Sequence, residues 1–486
     1  MWNGTTVKPL GGTRLKIRNP KVGKNYSVEF VIVNEDLTPL LSLRATEQMK
    51  LLSVHRENFK AVNSVRACSR GEILAKYPDV FNNKLGKLEG EVHLHVDPDV
   101  VPVTLPARSG PVSVRKQLKA ELDRLTRLGV LTMVDQPTAW TSQFVTTTKS
   151  SGEIRICIDP KPLNEALKRE RYQMPTLDEL LPELSNAKVF TKVDLSSAYW
   201  HLVLDEESSL LTTFITPFGR YCWLRLPFGL KVSSEIFQKR LNQALEGLPG
   251  VFCIADDVLI IGTNDPDHDA NLEKLLLRCR EKGISLNPDK FKLRCPTIPF
   301  HGHLLTKDGL KADPEKIEAI TKMPRPENTA DVQRLNGMVN YLSRFLPHLS
   351  DVMKPIRQLT HSDTEWHWSE SQEQAFTQLK SLITSTPVLV YYDPEKHLEI
   401  QCDSSQSGLG AAILQEGRPI AYASRALTAA EVKYAQIEKE MLAVVYAFEK
   451  FHDYTYGRHT IVYSDHKPLE MIQNKRCTKL QEDYNE

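Results

Sequence analysis

Two segments of the chain place acidic side chains where aliphatic ones would be expected. In residues 190–204, FTKVDLSSAYWHLVL, Asp194 lies within a strand-like run. In residues 250–262, GVFCIADDVLIIG, Asp256 and Asp257 interrupt an almost entirely aliphatic stretch. A buried carboxylate costs several kcal/mol unless it is paired or binds a metal ion. These three acids therefore need partners, and their partners would define the chemistry.

From the residues alone, two explanations of the Asp256–Asp257 pair stay open. The pair could form a hairpin turn, although tight two-residue turns favour Asn-Gly or Asp-Gly because both central residues need positive φ. Alternatively, a strand–Asp–Asp–strand hairpin beside the strand bearing Asp194 would gather three carboxylates, and hard oxygen ligands suit Mg²⁺. Two such ions ~3.5–4 Å apart can activate an attacking hydroxyl and stabilise a leaving oxygen. The second explanation predicts nucleotidyl transfer.

Composition sets the frame around these acids. A chain of 486 residues is too long for one hydrophobic core, so several domains are expected. The net charge of +1 excludes nothing, but basic residues cluster in 108–127 and again in 161–171. Either cluster could follow a phosphate backbone or form a solvated helix face. The eight scattered cysteines include no CxxC pair and no disulfide framework, which favours a reducing compartment.

The sequence shows neither a signal peptide nor an apolar run approaching the ~20 residues of a membrane helix. We therefore expect an intracellular, cytoplasmic protein without a membrane partner.

Hydrophobic periodicity predicts the elements that must position the acids. Residues 14–33 alternate as strands, and the Pro-, Val- and Gly-rich residues 78–114 predict an extended connecting arm. In the helix predicted over 115–129, four leucines share one face: Leu118, Leu122, Leu125 and Leu128. Further helices are predicted over 232–248, 268–283, 369–384 and 432–451. The last of these should turn Ile437, Met441, Val444 and Phe448 inward. The segment 324–347 begins with Pro324 and Pro326 and is predicted to continue as a helix.

Several motifs, in their order and at their intervals, carry a family resemblance. VDLSSAYWHLVL (193–204), TTFITPFGRYCWLRLPFGL (212–230), SSEIFQ (233–238) and IADDVLIIG (254–262) resemble the reverse transcriptase of gypsy-type long-terminal-repeat retrotransposons. Residues 155–190 and 311–347 resemble it as well. The resemblance implies an α+β multidomain fold: a right-hand polymerase of fingers, palm and thumb, followed by an RNase H-like α/β domain. It also implies an RNA-directed DNA polymerase.

The partners implied by this resemblance are an RNA template, a DNA primer, an RNA–DNA hybrid, deoxynucleoside triphosphates and two Mg²⁺ ions. In the family pattern, Asp194 and Asp256 would bind both metal ions and Asp257 would complete the acidic cluster. Tyr199 would be the steric gate under the sugar of the incoming nucleotide, whereas without the family it would be interpreted as an ordinary strand aromatic.

The same resemblance assigns a nucleotide pocket and a primer contact. Lys149 and Arg155 would grip the triphosphate, and Phe228 would line the pocket. The segment FHGH (300–303) would hold the primer end, although His301 stands where the family has Leu.

At the C-terminal end, the series Asp403, Glu440 and Asp465 resembles the RNase H acids of these elements, which also hold Mg²⁺. Helical periodicity barely separates Glu438 from Glu440, and the family motif favours Glu440. The family pattern is lost soon after Asp465, so we expect a C-terminally truncated RNase H-like domain of uncertain endonuclease activity. At the other end, residues 26–52 resemble the closing part of a retropepsin, without its Asp-Thr-Gly motif.

The expected domains are a retropepsin remnant (1–60), a connecting arm and N-terminal fingers helix (61–129), fingers and palm (130–310), thumb or connection (311–390) and the RNase H-like domain (391–486). Two rival functions remain: a catalytically silent nucleic-acid-binding remnant of a retroelement, and a cellular RNase H-type nuclease. A complete element would place the protein in a virus-like particle. The oligomeric state, host, template and primer are not indicated.

Overall fold

The structure is a computed structural model that describes residues 10–19, 23–34, 41, 45–46, 49, 51, 68–107, 114–148, 152, 154–362 and 364–464. The chain divides into two compact units, residues 1–67 and 68–486. In the first unit, strands β1 (Gly11–Arg18) and β2 (Asn25–Ile32) form an antiparallel hairpin. The strands predicted over 14–33 are thus confirmed.

The second unit contains helices and strands in alternation. Its α-helices are α1 (Arg70–Lys76), α2 (Arg115–Arg127), α3 (Lys161–Ala166), α4 (Leu177–Leu180), α5 (Glu206–Leu211), α6 (Ser233–Leu245), α7 (Asp265–Lys282), α8 (Pro314–Thr321), α9 (Thr329–Tyr341), α10 (Leu349–Val352), α11 (Lys354–Gln358), α12 (Glu370–Thr384), α13 (Gln436–Lys450) and α14 (His452–Thr455). Short 3₁₀ helices span Leu181–Leu184, Ala198–His201, Ser343–Phe345 and Glu431–Lys433.

The strands of this unit form five sheets. They are β3 (Glu91–Val92), β4 (Leu131–Met133), β5 (Ser142–Thr148), β6 (Ile154–Asp159), β7 (Val189–Asp194), β8 (Val203–Leu204), β9 (Phe214–Thr216), β10 (Gly219–Trp223), β11 (Val251–Ile254), β12 (Asp257–Gly262), β13 (Lys292–Cys295), β14 (Thr297–Phe300), β15 (His303–Thr306), β16 (Gly309–Ala312), β17 (Leu398–Ser404), β18 (Gly408–Gln415), β19 (Arg418–Ala426) and β20 (Thr460–Tyr463). The strand orders are β4-β10-β9-β5-β6, β11-β12-β7-β13, β14-β15-β16, β19-β18-β17-β20 and the pair β3-β8.

Helix ends follow the capping residues of the sequence. Where α7 begins, the Asn264 side chain accepts a hydrogen bond from the Asp267 N–H at 3.0 Å. After the last residue of α7 the chain turns at Gly283, whose φ of 67° glycine adopts without strain because it has no Cβ. The predicted 115–129 helix ends at Arg127, with Gly129 at φ 67° beyond it. The prediction for Leu128 was wrong: this residue lies past the last helical turn and is 44% exposed.

The segment expected to be a connecting arm packs into the core instead. Residues 68–107 hold few hydrogen-bonded elements, as their composition predicted, but Tyr77, Phe81 and Leu88 are buried in the same core as Phe237 and Leu275. A high content of proline and glycine predicts irregular backbone, but it does not predict which core that backbone packs against.

In the segment 324–347 the regular helix begins after the two prolines, as predicted, but ends before residue 347. Pro324 and Pro326 precede it, Asn328 caps its first turn, and the regular helix α9 ends at Tyr341. Proline fixes φ and lacks an N–H, so both prolines are accommodated before the helix rather than within it. The sheet β14-β15-β16 packs in the same core as α9 and α12, and strand β16 spans the boundary expected at residue 310.

In the C-terminal domain, helix α13 packs on β17 and β18, and β17 pairs in parallel with β20. The helix face predicted to point inward on α13 is not the face that is buried most deeply. The buried positions are Lys439, Glu440, Ala443 and Ala447, while the predicted apolar residues are only partly buried. Small alanine side chains let the helix backbone approach the sheet closely, which hydrophobicity alone does not indicate.

Among the helices of the described ranges, none combines the length and apolar composition that a bilayer crossing requires.

Candidate active site

The acids predicted from the sequence meet at one end of the sheet β11-β12-β7-β13. Asp194 is the last residue of β7, and Asp257, the first of β12, is its direct partner across the antiparallel pair. Directly opposed side chains share a face of the sheet, with Cβ atoms about 5 Å apart. Ala255 and Asp256 form the turn between β11 and β12. The two explanations of the acidic pair were thus not exclusive, because Asp256 lies in the turn and Asp257 begins the strand.

Two lysine side chains form ion pairs with Asp194 and Asp257. Lys192 Nζ lies 2.6 Å from Asp257 Oδ2 and 4.0 Å from Asp194 Oδ1. Lys290 Nζ lies 2.5 Å from Asp194 Oδ2, and this hydrogen bond raises the pKa of Lys290. Burial raises the pKa of Asp257; the Lys192 ammonium opposes that shift, and the nearby Asp194 and Asp256 add to it. The site is a compact group of like charges held by cations.

One carboxylate oxygen indicates room for a further cation. Asp194 is 4% exposed, and its Oδ1 is buried without a hydrogen-bond partner. An unsatisfied buried carboxylate oxygen is costly. Within the described ranges, however, no three His, Cys, Asp or Glu side chains already converge as a metal site. Carboxylate oxygens are the type of ligand that Mg²⁺ prefers. The ammonium groups of Lys192 and Lys290 supply the positive charge beside these carboxylates.

The acid-bearing hairpin is fixed by backbone hydrogen bonds. The Ala255 N–H donates to Oε1 of the buried Gln238 at 2.7 Å, and the Gln238 amide donates to the Cys253 carbonyl at 3.0 Å. The Leu195 N–H donates to the Asp256 carbonyl at 3.0 Å. Ala255 has φ 54°, a conformation that is strained for a residue with a Cβ. The hydrogen bond from Gln238 on helix α6 therefore stabilises the positive φ of Ala255, which is unfavourable for an isolated turn.

A cavity of about 500 Å³ opens beside the acids, and it is lined by Asp256, Lys290, Arg155, Tyr199 and Phe228. The Arg155 guanidinium lies 5.2 Å from the centre of the Phe228 ring, and the Tyr199 and Phe228 ring centres are 4.7 Å apart. The Tyr199 hydroxyl is 2.9 Å from Ser234 Oγ. Three nucleotide-binding residues predicted from separate segments thus line one cavity. The fourth, Lys149, lies outside the described residues.

A second acidic site lies in the C-terminal domain. Glu440 is 3% exposed; its Oε1 accepts hydrogen bonds from Ser404 Oγ at 2.7 Å and from the Gln436 amide at 2.8 Å, while its Oε2 has no partner. Asp403 directly precedes Ser404 and is exposed, beside a cavity of about 480 Å³. Glu438 instead lies at the start of the helix and accepts from the Ala435 N–H. Asp465 lies outside the described residues.

Comparison with known proteins agrees with this geometry. Residues 147–331 match the family described as reverse transcriptase (RNA-dependent DNA polymerase), and residues 368–462 match the RNase H-like domain found in reverse transcriptase. This chain carries a reverse transcriptase domain. The expected α+β polymerase fold followed by an RNase H-like domain is confirmed.

The chain is similar to retrovirus-related Pol polyproteins of Drosophila melanogaster transposons. That of transposon 297 is 34% identical over 327 residues, 67% of this chain and 31% of the relative. That of opus is 30% identical over 428 residues, covering 83% and 43%, and that of gypsy is 33% identical over 339 residues, covering 67% and 33%. The chain therefore spans less than half the length of these relatives.

Solved structures show the same fold. A foamy viral protease–reverse transcriptase, termed dRH and in complex with double-stranded DNA, matches with TM-score 0.77 and 21% identity over 96% of this chain and 88% of that one. The foamy viral protease–reverse transcriptase in complex with an RNA/DNA hybrid matches with TM-score 0.72 and 21% identity over 94% and 66%.

Sequence reasoning missed three residues of the reverse transcriptase site: Lys192, Lys290 and Gln238. Lys192 could have been found, because it lies two positions before Asp194 on the same strand and so shares its face. Lys290 lies 96 residues from Asp194 in the chain, and Gln238 lies on a helix behind the hairpin. No local pattern in the sequence marks either contact.

Proposed function

We propose that this chain is an RNA-directed DNA polymerase that uses two Mg²⁺ ions. The observation that carries the proposal is the direct cross-strand pairing of Asp194 with Asp257, with Asp256 in the adjoining turn beside the 500 Å³ cavity. Reverse transcriptase and RNase H-like families generally depend on Mg²⁺. We further propose the domain division given above, with fingers and palm in 130–310, thumb in 311–390, RNase H-like residues in 391–486 and retropepsin-like residues in 1–60.

In this proposal, Asp194 and Asp256 hold the metal ions, and Asp257 completes the negative cluster. Bound Mg²⁺ would lower the cost of deprotonating the primer hydroxyl and offset charge on the leaving pyrophosphate. Lys192 and Lys290 place positive charge between the acids before metal binds, so that like-charge repulsion does not open the hairpin. Their ammonium groups would move aside or remain as fixed positive charge beside the reacting phosphates.

The cavity supports selection of a deoxynucleoside triphosphate. Arg155 offers a fixed guanidinium for phosphate oxygens, and Lys149 is proposed to add a second cation. Tyr199, packed against Phe228 and bonded to Ser234, offers a rigid ring where a sugar would lie. A 2′-hydroxyl would collide with a ring that cannot turn away, which is why we propose Tyr199 as the steric gate.

We propose an RNase H role for Asp403, Glu440 and Asp465, also with Mg²⁺. The buried, half-satisfied carboxylate of Glu440, next to the strand that carries Asp403, supports it. The RNA template, DNA primer and RNA–DNA hybrid would be the nucleic-acid partners, as the structural neighbours were solved with double-stranded DNA and with an RNA/DNA hybrid. Because its nucleotide substrates are made inside cells, we propose that the enzyme works there.

Primer extension with the purified chain tests the proposal. A labelled DNA primer annealed to an RNA template should lengthen in the presence of deoxynucleoside triphosphates and Mg²⁺, and EDTA should stop it. Binding of the primer–template without any extension would instead favour the silent nucleic-acid-binding remnant.

A further inference from the structure

The turn at residues 301–302 has an unusual backbone and close neighbours. It joins β14 to β15, and its two residues both have positive φ, 44° at His301 and 72° at Gly302. Two-residue hairpin turns of type I′ have positive φ at both positions. A Cβ at Gly302 would lie 1.9 Å from the Tyr341 hydroxyl, so the turn and the end of helix α9 are in direct contact.

The side chain of His301 reaches the acid-bearing hairpin. Its Nε2 lies 3.2 Å from the Ile254 carbonyl, so the ring N–H donates to that oxygen. Ile254 is the last residue of β11, directly before Ala255 and Asp256. A leucine at position 301 would have no group that could make this hydrogen bond.

The backbone of His301 is bonded to helix α9. The Tyr341 hydroxyl donates to the His301 carbonyl at 3.0 Å, and the His303 Nδ1 lies 3.0 Å from the same oxygen. The His303 ring lies 5.5 Å from the Tyr341 ring and 5.8 Å from the Phe345 ring, measured between centres. One residue, His301, thus joins the C-terminal end of α9 on one side and the acid hairpin on the other.

The turn of the acid hairpin is anchored from two other directions. Ala255 offers only a methyl group, and its N–H is held by Gln238, while the Asp256 carbonyl is held by Leu195. The bond from His301 to Ile254 fixes the strand end from a third direction. Without it, the end of β11 loses this restraint, whereas β12 stays paired with β7. A displacement of about 1 Å at reacting groups can cost 100-fold in rate.

We propose that His301 is a positioning residue that couples helix α9 to the acid hairpin, so that the position of α9 sets the placement of Asp256. This inference rests on the proposed polymerase function and names a residue that acts through the hairpin rather than on substrate. A duplex held against α9 would, through Tyr341 and His301, hold the acids in their reactive position.

Single-nucleotide incorporation by the full chain on a pre-bound primer–template tests the coupling. His301→Leu should lower the maximal rate roughly 3- to 10-fold, the effect of one hydrogen bond, while the nucleotide Kd and the primer–template Kd change less than about twofold. His301→Gln, whose amide can donate from the same place, should recover the rate to within about twofold. Tyr341→Phe should also lower it, and the double variant should be no slower than His301→Leu, since linked contacts are not additive.

An exposed histidine provides the matched control: His361→Leu should leave the rate unchanged. The coupling is overturned if His301→Leu matches wild type, if Gln does not rescue, or if the losses from the two sites multiply. Equal losses of melting temperature and rate in the Leu and Gln variants would show a purely structural role and would also overturn it. If the wild-type chain incorporates nothing, the proposed function itself fails, and that result is separate from any difference between variants.

Discussion

Acid should weaken this protein through one buried histidine. His201 is fully buried at the end of the 3₁₀ turn that carries Tyr199. Its Nδ1–H donates to the Ala198 carbonyl at 3.0 Å, and its Nε2 accepts from the Ser285 N–H at 3.1 Å. A Cβ on Gly86 would lie 2.1 Å from this ring, so the site has no spare room. Protonation would convert the acceptor Nε2 into a donor that faces another donor.

The magnitude follows from the shift of its pKa. Burial lowers the pKa of His201 from 6.5 to about 4 in the folded protein. Between these values the unfolded chain binds a proton that the folded chain does not, so stability falls as pH falls from about 6.5 to about 4. At 1.36 kcal/mol per pH unit, the loss amounts to about 3 kcal/mol. Above pH 6.5 the imidazole is neutral in both states and contributes no pH dependence.

The assay is guanidinium denaturation followed by tryptophan fluorescence, since Trp200 and Trp223 lie in the same core. Wild type and His201→Gln are compared from pH 7.5 to pH 4. The Gln amide does not titrate in this range and can still accept from Ser285. At pH 7.5 the variant should have a lower free energy of unfolding than wild type. By pH 4 the difference between the two free energies should change by about 3 kcal/mol in favour of the variant. Two curves that stay parallel over the whole range would refute the reasoning.

Three further predictions concern the acids and the cavity. Asp256→Asn should lower primer extension at least 100-fold without changing primer–template affinity, because losing a metal ligand costs several kcal/mol in the transition state. The control is Asp308→Asn, which changes an exposed acid in another hairpin turn. Extension that is retained in Asp256→Asn would contradict the assignment. Tyr199→Val should admit ribonucleotides, measured as the ratio of ATP to dATP incorporation, and an unchanged ratio would leave Tyr199 as a packing residue. Asp403→Asn should abolish any cleavage of a labelled RNA–DNA hybrid while extension proceeds at the wild-type rate; cleavage that persists would place the nuclease chemistry elsewhere.

The sequence alone determined the acids and the local elements that carry them. An aliphatic run broken by Asp256 and Asp257 needs a physical reason, because burying charge without a partner is costly, but the residues alone left a turn and a metal site both open. The C-terminal end of α7 at Gly283 was predicted from its glycine, whereas its start, predicted at residue 268, lies at Asp265 after the cap Asn264. Ordered motifs then gave the family, and with it the fold.

Tertiary structure decided which residues meet those elements. Lys290 reaches Asp194 from 96 positions away, and the ring of His301 meets a carbonyl 47 positions away. Neither contact leaves a local trace in the sequence. Glu438 and Glu440 differ by only two positions, yet only Glu440 is buried, because it lies on the same helix face as Ala443 and Ala447, which are buried. The spacing of apolar residues predicts the buried face of a helix only to within the width of its apolar stripe. The fit between close-packed surfaces then selects the rotation of the helix within that width.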